Sequence, residues 1–170
     1  MKRVLLLVVI IFEFLATSAQ WSVVPSVGAL SAMQGDKDLG AIGVEISHPV
    51  SDLFSFGLLA EYLRTMNTDP DHYSNIVFEI KTDLSSMIQR DRLWDIFLDT
   101  GIGWGHHITK NMVDHNFHTY RIGADIRLYR HQRTVAGVMK IGSVYRSRNE
   151  HMIDGSSGKL YFLIGVCLVL

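Results

Sequence analysis

The sequence has 170 residues, 48% of them hydrophobic and 19% charged, with a formal net charge of -1. That length holds one domain rather than two, and the near-neutral charge offers no electrostatic footprint for nucleic acid. The single cysteine, Cys167, excludes both an intramolecular disulfide and a cysteine-based zinc site.

The chain opens Met1-Lys2-Arg3, continues as the apolar run VLLLVVIIF from Val4 to Phe12, and reaches ATSAQ at 16–20. A basic start, an apolar stretch and small residues at Thr17 and Ala19 are the parts of a secretory signal peptide. Residues 1–19 are therefore expected to be removed, leaving 20–170 as the mature domain. Glu13 interrupts the apolar run well short of the ~20 residues that a membrane helix needs. The closing LYFLIGVCLVL is also too short for such a helix, but long enough for a tilted membrane strand.

Beyond residue 20, no segment sustains an apolar repeat at helical spacing, whereas alternation at period two recurs throughout. It predicts strands at 20–30, 39–48, 54–65, 73–83, 95–106, 117–130, 135–148 and 159–170. The turn-rich stretches AMQGDKD, MNTDPDH and NEHMIDGSSG lie between strands. In the second strand Ile42, Val44 and Ile46 oppose Ala41, Gly43 and Glu45. In the third, Phe54, Phe56, Leu58 and Tyr62 oppose Ser55, Gly57 and Glu61. The fourth sets Ile76, Phe78 and Ile80 against Asn75, Glu79 and Lys81. The fifth sets Ile96, Leu98, Ile102 and Trp104 against Asp95, Asp99 and glycines 101, 103 and 105. The sixth sets Tyr120, Ile122, Ala124, Ile126 and Leu128 against Arg121, Gly123, Asp125 and Arg127.

Period two alone leaves open which face is inside, and a soluble lipocalin-like barrel would turn its apolar face inward. Three features favour the inverted arrangement of a membrane barrel. Glycines gather on the charged face (Gly43, Gly57, Gly101, Gly103, Gly105, Gly123, Gly142), where a narrow interior needs space. That face carries Glu45, Glu61, Glu79, Asp95, Asp99 and Asp125 against Lys81, Arg121, Arg127, Lys140, Arg146 and Arg148, a balance that permits neutralisation in a closed lumen. The apolar face of the last strand (Leu160, Phe162, Ile164, Val166, Leu168, Leu170) runs out without a polar tail. In a bilayer only closure satisfies every strand hydrogen bond.

The expected fold is thus all-β: an eight-stranded antiparallel up-and-down transmembrane β-barrel with a polar, side-chain-filled interior. Asp99 and Asp125 are expected to pair with Arg121 and Arg127 inside it, and Trp21, Tyr62, Trp104, Tyr120 and Tyr145 to form interfacial girdles. HPVSDL and HQRT read as short periplasmic turns, and the segments after strands one, three, five and seven as extracellular loops. LSSMIQRDRLW breaks that pattern by being long on the short-turn side.

The stretch GIGWGHHITK at 101–110 invites two further readings. It fails as a dinucleotide fingerprint, because His106 stands where the third glycine of G-x-G-x-x-G belongs and no helix pattern follows. His106, His107, Asp114, His115 and His118 are residue types that suit zinc, copper or nickel. Their spacing matches no established zinc pattern, and a polar loop that happens to hold histidines is the plainer account. No cofactor is implied.

On these residues the mature chain resembles the small eight-stranded outer-membrane barrels of Gram-negative bacteria, a class that includes adhesion and resistance proteins, structural anchors and lipid A deacylases. The resemblance implies outer-membrane lipid, lipopolysaccharide and the barrel-assembly machinery as partners. Such barrels usually finish on an aromatic residue, whereas Leu170 closes this sequence. In length and layout the chain is similar to the lipid A 3-O-deacylases, which carry His-x-Ser-Asn on the seventh strand and a Glu on the eighth. Here the comparable residues are Tyr145-Arg146-Ser147-Arg148, with Leu160 near the place of the acid.

Ser147 matches the nucleophile, but a tyrosine with a pKa of about 10 is a poor base at neutral pH. Shifting the alignment by one residue puts Arg146 in that position and does no better. His151 and Asp154 would have to substitute from the following loop. The leading expectation is accordingly a barrel with a structural or surface-recognition role on its extracellular loops. A divergent deacylase using Ser147 and a soluble periplasmic carrier are the alternatives.

Overall fold

The computed structural model describes residues 20–32, 38–66, 71–85, 93–108, 115–129, 134–148 and 157–170. The expected signal peptide at 1–19, Asp114, His151 and Asp154 lie outside the described residues. Eight strands follow one another: β1 Ser22–Ala32, β2 Leu39–Pro49, β3 Phe54–Thr65, β4 His72–Asp83, β5 Trp94–Ile108, β6 His115–Tyr129, β7 Val135–Arg148 and β8 Ser157–Val169. Each pairs antiparallel with its neighbours in sequence, and β1 pairs with β8, so the sheet closes into a barrel with no free edge.

The strands lie close to their sequence-predicted positions, with one informative difference. β5 and β6 pair through His106↔Asn116 and His107↔His115, so the histidines extend the hairpin where a loop was expected to begin. The longest connecting stretch between strands is 84–93, at the end of the barrel where β1 begins and β8 finishes. Loop length therefore does not distinguish the two ends.

Alternation places large apolar side chains on the outer wall. Ile42, Phe78, Ile102 and Trp104 are 63%, 66%, 64% and 59% exposed, while Glu45, Lys81, Asp99, Asp125 and Lys140 are 0% exposed inside. A water-soluble carrier needs the opposite arrangement, since the apolar area bared here would be removed from water. The outer wall is that of a membrane-spanning barrel, and the soluble-carrier alternative falls.

The interior is filled, with its densest cluster of ion pairs at mid-height. Towards the end where β1 meets β2, Leu30, Leu39, Ala41, Leu63, Val144, Tyr161 and Leu163 form one apolar cluster. Towards the end that holds the termini, Val24, Ala136, Val138 and Cys167 form another. The ion-pair cluster around Lys81 and Lys140 lies between these two layers, while Asp95, Arg146 and Lys159 are buried nearer the two ends. Tyr62, Trp104, Tyr120 and Tyr145 are exposed on the outer wall, with the Tyr120 and Tyr145 rings 6.3 Å apart. Trp21 instead packs at a tilt against the His48 ring near the termini, with centroids 4.6 Å apart.

Candidate functional site

Two places concentrate chemistry: the lumen at mid-height, and the outer wall towards the far end from the termini. In the lumen, register sets the first layer of the arrangement. Gly43 stands opposite Glu61, Gly57 opposite Glu79, Gly101 opposite both Glu79 and Arg121, and Gly123 opposite Asp99. Glu61 thus packs over Gly43, and Glu79 over Gly57 and Gly101.

Lys81 is the hub. Its Nζ lies 2.8 Å from Glu45 Oε1, 2.8 Å from Asp125 Oδ2, 3.6 Å from Asp99 Oδ1 and 3.8 Å from Glu79 Oε2. Lys140 reaches the second oxygen of Glu45. Arg127 donates to Asp125 at 3.0 Å and lies over the Phe97 ring at 4.6 Å. A second group is built on Arg121, which donates to Glu61 Oε1 at 2.6 Å, approaches Glu79 at 3.5 Å and covers the Tyr161 ring at 3.8 Å. Asn75 links Glu61 to Thr119, and Glu79 joins the two groups.

The expected pairing of Asp99 and Asp125 with Arg121 and Arg127 is met only by Arg127 and Asp125. Arg121 crosses the lumen to β3 and β4, and Asp99 takes Lys81 as its near cation. Arg146 sits apart from the hub, over the Phe117 and Tyr73 rings at 5.3 and 5.5 Å. Asp95 is buried towards the termini, and the side chain of Arg148 lies outside the described residues. Sequence reading missed Lys159, a buried cation that shares a face with Tyr161. Its parity against Leu160 was the available signal. Buried charge of this density is tolerated because it is paired, and it leaves a strut across the lumen rather than a pore.

The glycines of GIGWG face this interior but serve it differently. A side chain at Gly101 would meet Glu79 and Val77, whereas one at Gly103 would meet Val77 and one at Gly105 the Phe117 ring. Only the first clears room for a charge. The candidate metal-binding histidines divide between faces. His107 points inward and stacks on Tyr73 at 4.3 Å, with Asp71 3.7 Å from its Nε2. His106 is on the outer wall, hydrogen-bonded to Asn116 at 3.0 Å, and His118 is on the same wall. The side chain of His115 is outside the described residues, among which no group of three metal-ligating side chains converges.

On the outer wall, cross-strand pairing aligns Val44, Ala60, Ile76, Trp104, His118 and Ser147 in one row from β2 to β7. Ser147, the candidate nucleophile, is therefore the direct cross-strand neighbour of His118, a relationship hidden by 29 positions of intervening sequence (147 − 118 = 29). The next row, two residues further along, holds Ile42, Tyr62, Ser74, His106 and Asn116, and the one beyond it sets Arg64 opposite His72. The small side chains of Ala60 and Ser74 leave a depression of about 420 Å³ between Ile42, Val44, Tyr62, Ile76, Trp104 and His106.

Neither a protein-family model nor a curated protein matches the chain in sequence. Solved structures do match in fold. Neisserial surface protein A (NspA) is similar with a TM-score of 0.66 and 8% identity, covering 89% of this chain and 97% of its own. The outer membrane enzyme PagL is similar at 0.60 and 13% identity, covering 85% and 97%. The Yersinia pestis outer membrane protein Ail in a phospholipid bilayer nanodisc reaches 0.51 and 12%, covering 90% and 100%. The chain has the fold of small eight-stranded outer-membrane β-barrels.

Proposed function

We propose that this chain is an outer-membrane barrel, exported by residues 1–19, whose role is structural or recognitional and is carried at the end of the barrel away from its termini. The observation that carries this reading is the combination of an apolar outer wall with a lumen closed by buried ion pairs and two apolar layers. An eight-stranded barrel is just wide enough for its interior side chains, and among the described residues ion pairs cross the lumen and leave no conducting path. Its outer-leaflet rim and the connections 33–38, 66–71, 109–114 and 149–156 are then the surfaces left to meet lipopolysaccharide, a host surface or a partner.

Epitope tags inserted separately at 109–114 and 84–93 test this in intact Gram-negative cells. The expected result is antibody labelling of the first and not of the second until the envelope is opened. Recovery of the protein as soluble periplasmic material would overturn the reading.

One observation favours a second reading, that of a divergent lipid A deacylase. The base absent from position 145 is supplied by the neighbouring strand, because His118 stands opposite Ser147 on the lipid-facing wall. Directly paired side chains have Cβ atoms about 4.5–5.5 Å apart, within reach of a Ser–His hydrogen bond. No acid occupies that row, so the arrangement is a dyad rather than a triad. Purified protein would release the 3-linked acyl chain of lipid A, and Ser147→Ala and His118→Ala would each abolish release. Absence of release by the unaltered protein removes this reading and leaves the first intact.

A further inference from the structure

We infer that the outer-wall depression between β2 and β5 is a binding site for one acyl chain of a negatively charged, phosphate-bearing membrane lipid. The inference rests on the chain spanning a membrane, and it goes beyond that by naming a specific site and occupant. Ala60 and Ser74 pair diagonally across β3 and β4, and their small side chains open a groove between Ile42, Ile76 and Trp104. Its volume of about 420 Å³ falls in the range of ~300–1,000 Å³ typical of small-molecule sites. On a lipid-facing wall, the occupant that fits an apolar groove is a hydrocarbon chain.

Charge at the mouth selects the headgroup. Among the lysines and arginines whose side chains the structure describes, Arg64 alone is exposed, while Lys81, Arg121, Arg127, Lys140, Arg146 and Lys159 are buried. Arg64 sits two residues beyond Tyr62 on the same outward face, about 7 Å further along β3 at the strand rise of ~3.4 Å per residue. Beside it stands His72, held by a 2.5 Å hydrogen bond to the Tyr62 hydroxyl. Asp38, a carboxylate near this rim, accepts a hydrogen bond from Ser31 of β1 at 3.1 Å. A guanidinium with an ordered Tyr–His pair offers donors to a phosphate whose acyl chain descends into the groove.

Trp104 lines the groove and serves as its own reporter. In a Trp21→Phe/Trp94→Phe variant it is the remaining tryptophan, since the chain has three. The folded protein in bilayers would be titrated with phosphatidylglycerol or phosphatidylcholine, each brominated on its acyl chains, and Trp104 quenching read. One basic side chain near a membrane surface is worth about a five-fold enrichment of anionic lipid, so stronger quenching by the glycerol lipid at equal mole fraction is expected. Arg64→Gln would equalise the two lipids, and Ala60→Leu would reduce quenching by both.

A variant with Trp94 as sole reporter, at the opposite end, would be quenched equally by the two. Equal quenching of Trp104 by both lipids, or a preference that survives Arg64→Gln, would overturn the site while leaving the membrane barrel standing. Absence of quenching at both tryptophans would overturn the membrane-spanning reading as well. The exposed Arg64 carries the test independently of whether Ala60→Leu folds.

Discussion

Lys81 on β4 donates to Asp125 on β6 at 2.8 Å, although β5 lies between their strands. The contact spans the lumen rather than following the sheet, and the same ammonium group bonds Glu45 on β2. One side chain thereby ties three strands that do not pair with one another. Replacing it takes the near cation from Asp99 and leaves Glu45, Asp125 and Glu79 to Lys140, Arg127 and Arg121.

Lys81→Met is therefore expected to cost about 3–5 kcal/mol, the range for breaking a buried ion pair from one side. Urea unfolding in detergent micelles, followed by tryptophan fluorescence, checks this. Adding Asp99→Asn should recover part of the loss, since it removes one of the carboxylates left without Lys81. Additive losses in the double variant would show that Lys81 does not act through this cluster.

Glycines should respond to substitution according to what stands above them, as interior Gly123 and outward-facing Gly137 show. An alanine at Gly123 drives its methyl group into the Tyr161 hydroxyl, which disturbs the ring covered by Arg121. Overpacking of this kind costs about 1–3 kcal/mol. At Gly137 nothing lies within 4 Å, so Gly137→Ala should change stability little. Comparing Gly123→Ala with Gly123→Ala/Tyr161→Phe by the same unfolding assay isolates the hydroxyl contact, and the double variant should be the more stable of the two.

The outer wall gives a test that separates membrane from water. Ile102 is outward and 64% exposed in the middle of β5. A lysine there should cost about 2–4 kcal/mol in a bilayer, as charges do near the midplane of a barrel. On a wall facing water the same change would be close to neutral. Folding equilibria measured in lipid vesicles for Ile102→Lys discriminate between the two.

Two further outcomes follow from closure and filling. The folded protein in detergent should migrate differently on gels with and without boiling, because a closed barrel stays compact until heated. Planar-bilayer recordings should show no resolvable conductance steps, since Lys81, Lys140 and their carboxylate partners are buried between two apolar layers. Discrete openings in the unaltered protein would contradict a filled lumen.

Period-two alternation made the eight strands and their two faces legible in the sequence, because it is a local property carried by every strand separately. Tyr120, Ile122 and Leu128 against Arg121, Asp125 and Arg127 declare their sides without reference to any partner strand. Glycine placement made it legible that the charged face is the crowded one. What no strand declares alone is its register against the next, or which strands face one another across the lumen.

Those are set by closure of the whole sheet. Closure brings Arg121 to Glu61 and Glu79 rather than to the acids of its own hairpin, and Lys81 to Asp125. Register likewise places His118 against Ser147 and lines up Ala60 and Ser74 to open a groove beneath Arg64. The sequence determined which residues face lipid and which face the lumen. Only the closed barrel decided their company, because a neighbour across a lumen is fixed by strand number and stagger, and neither is written in any one strand.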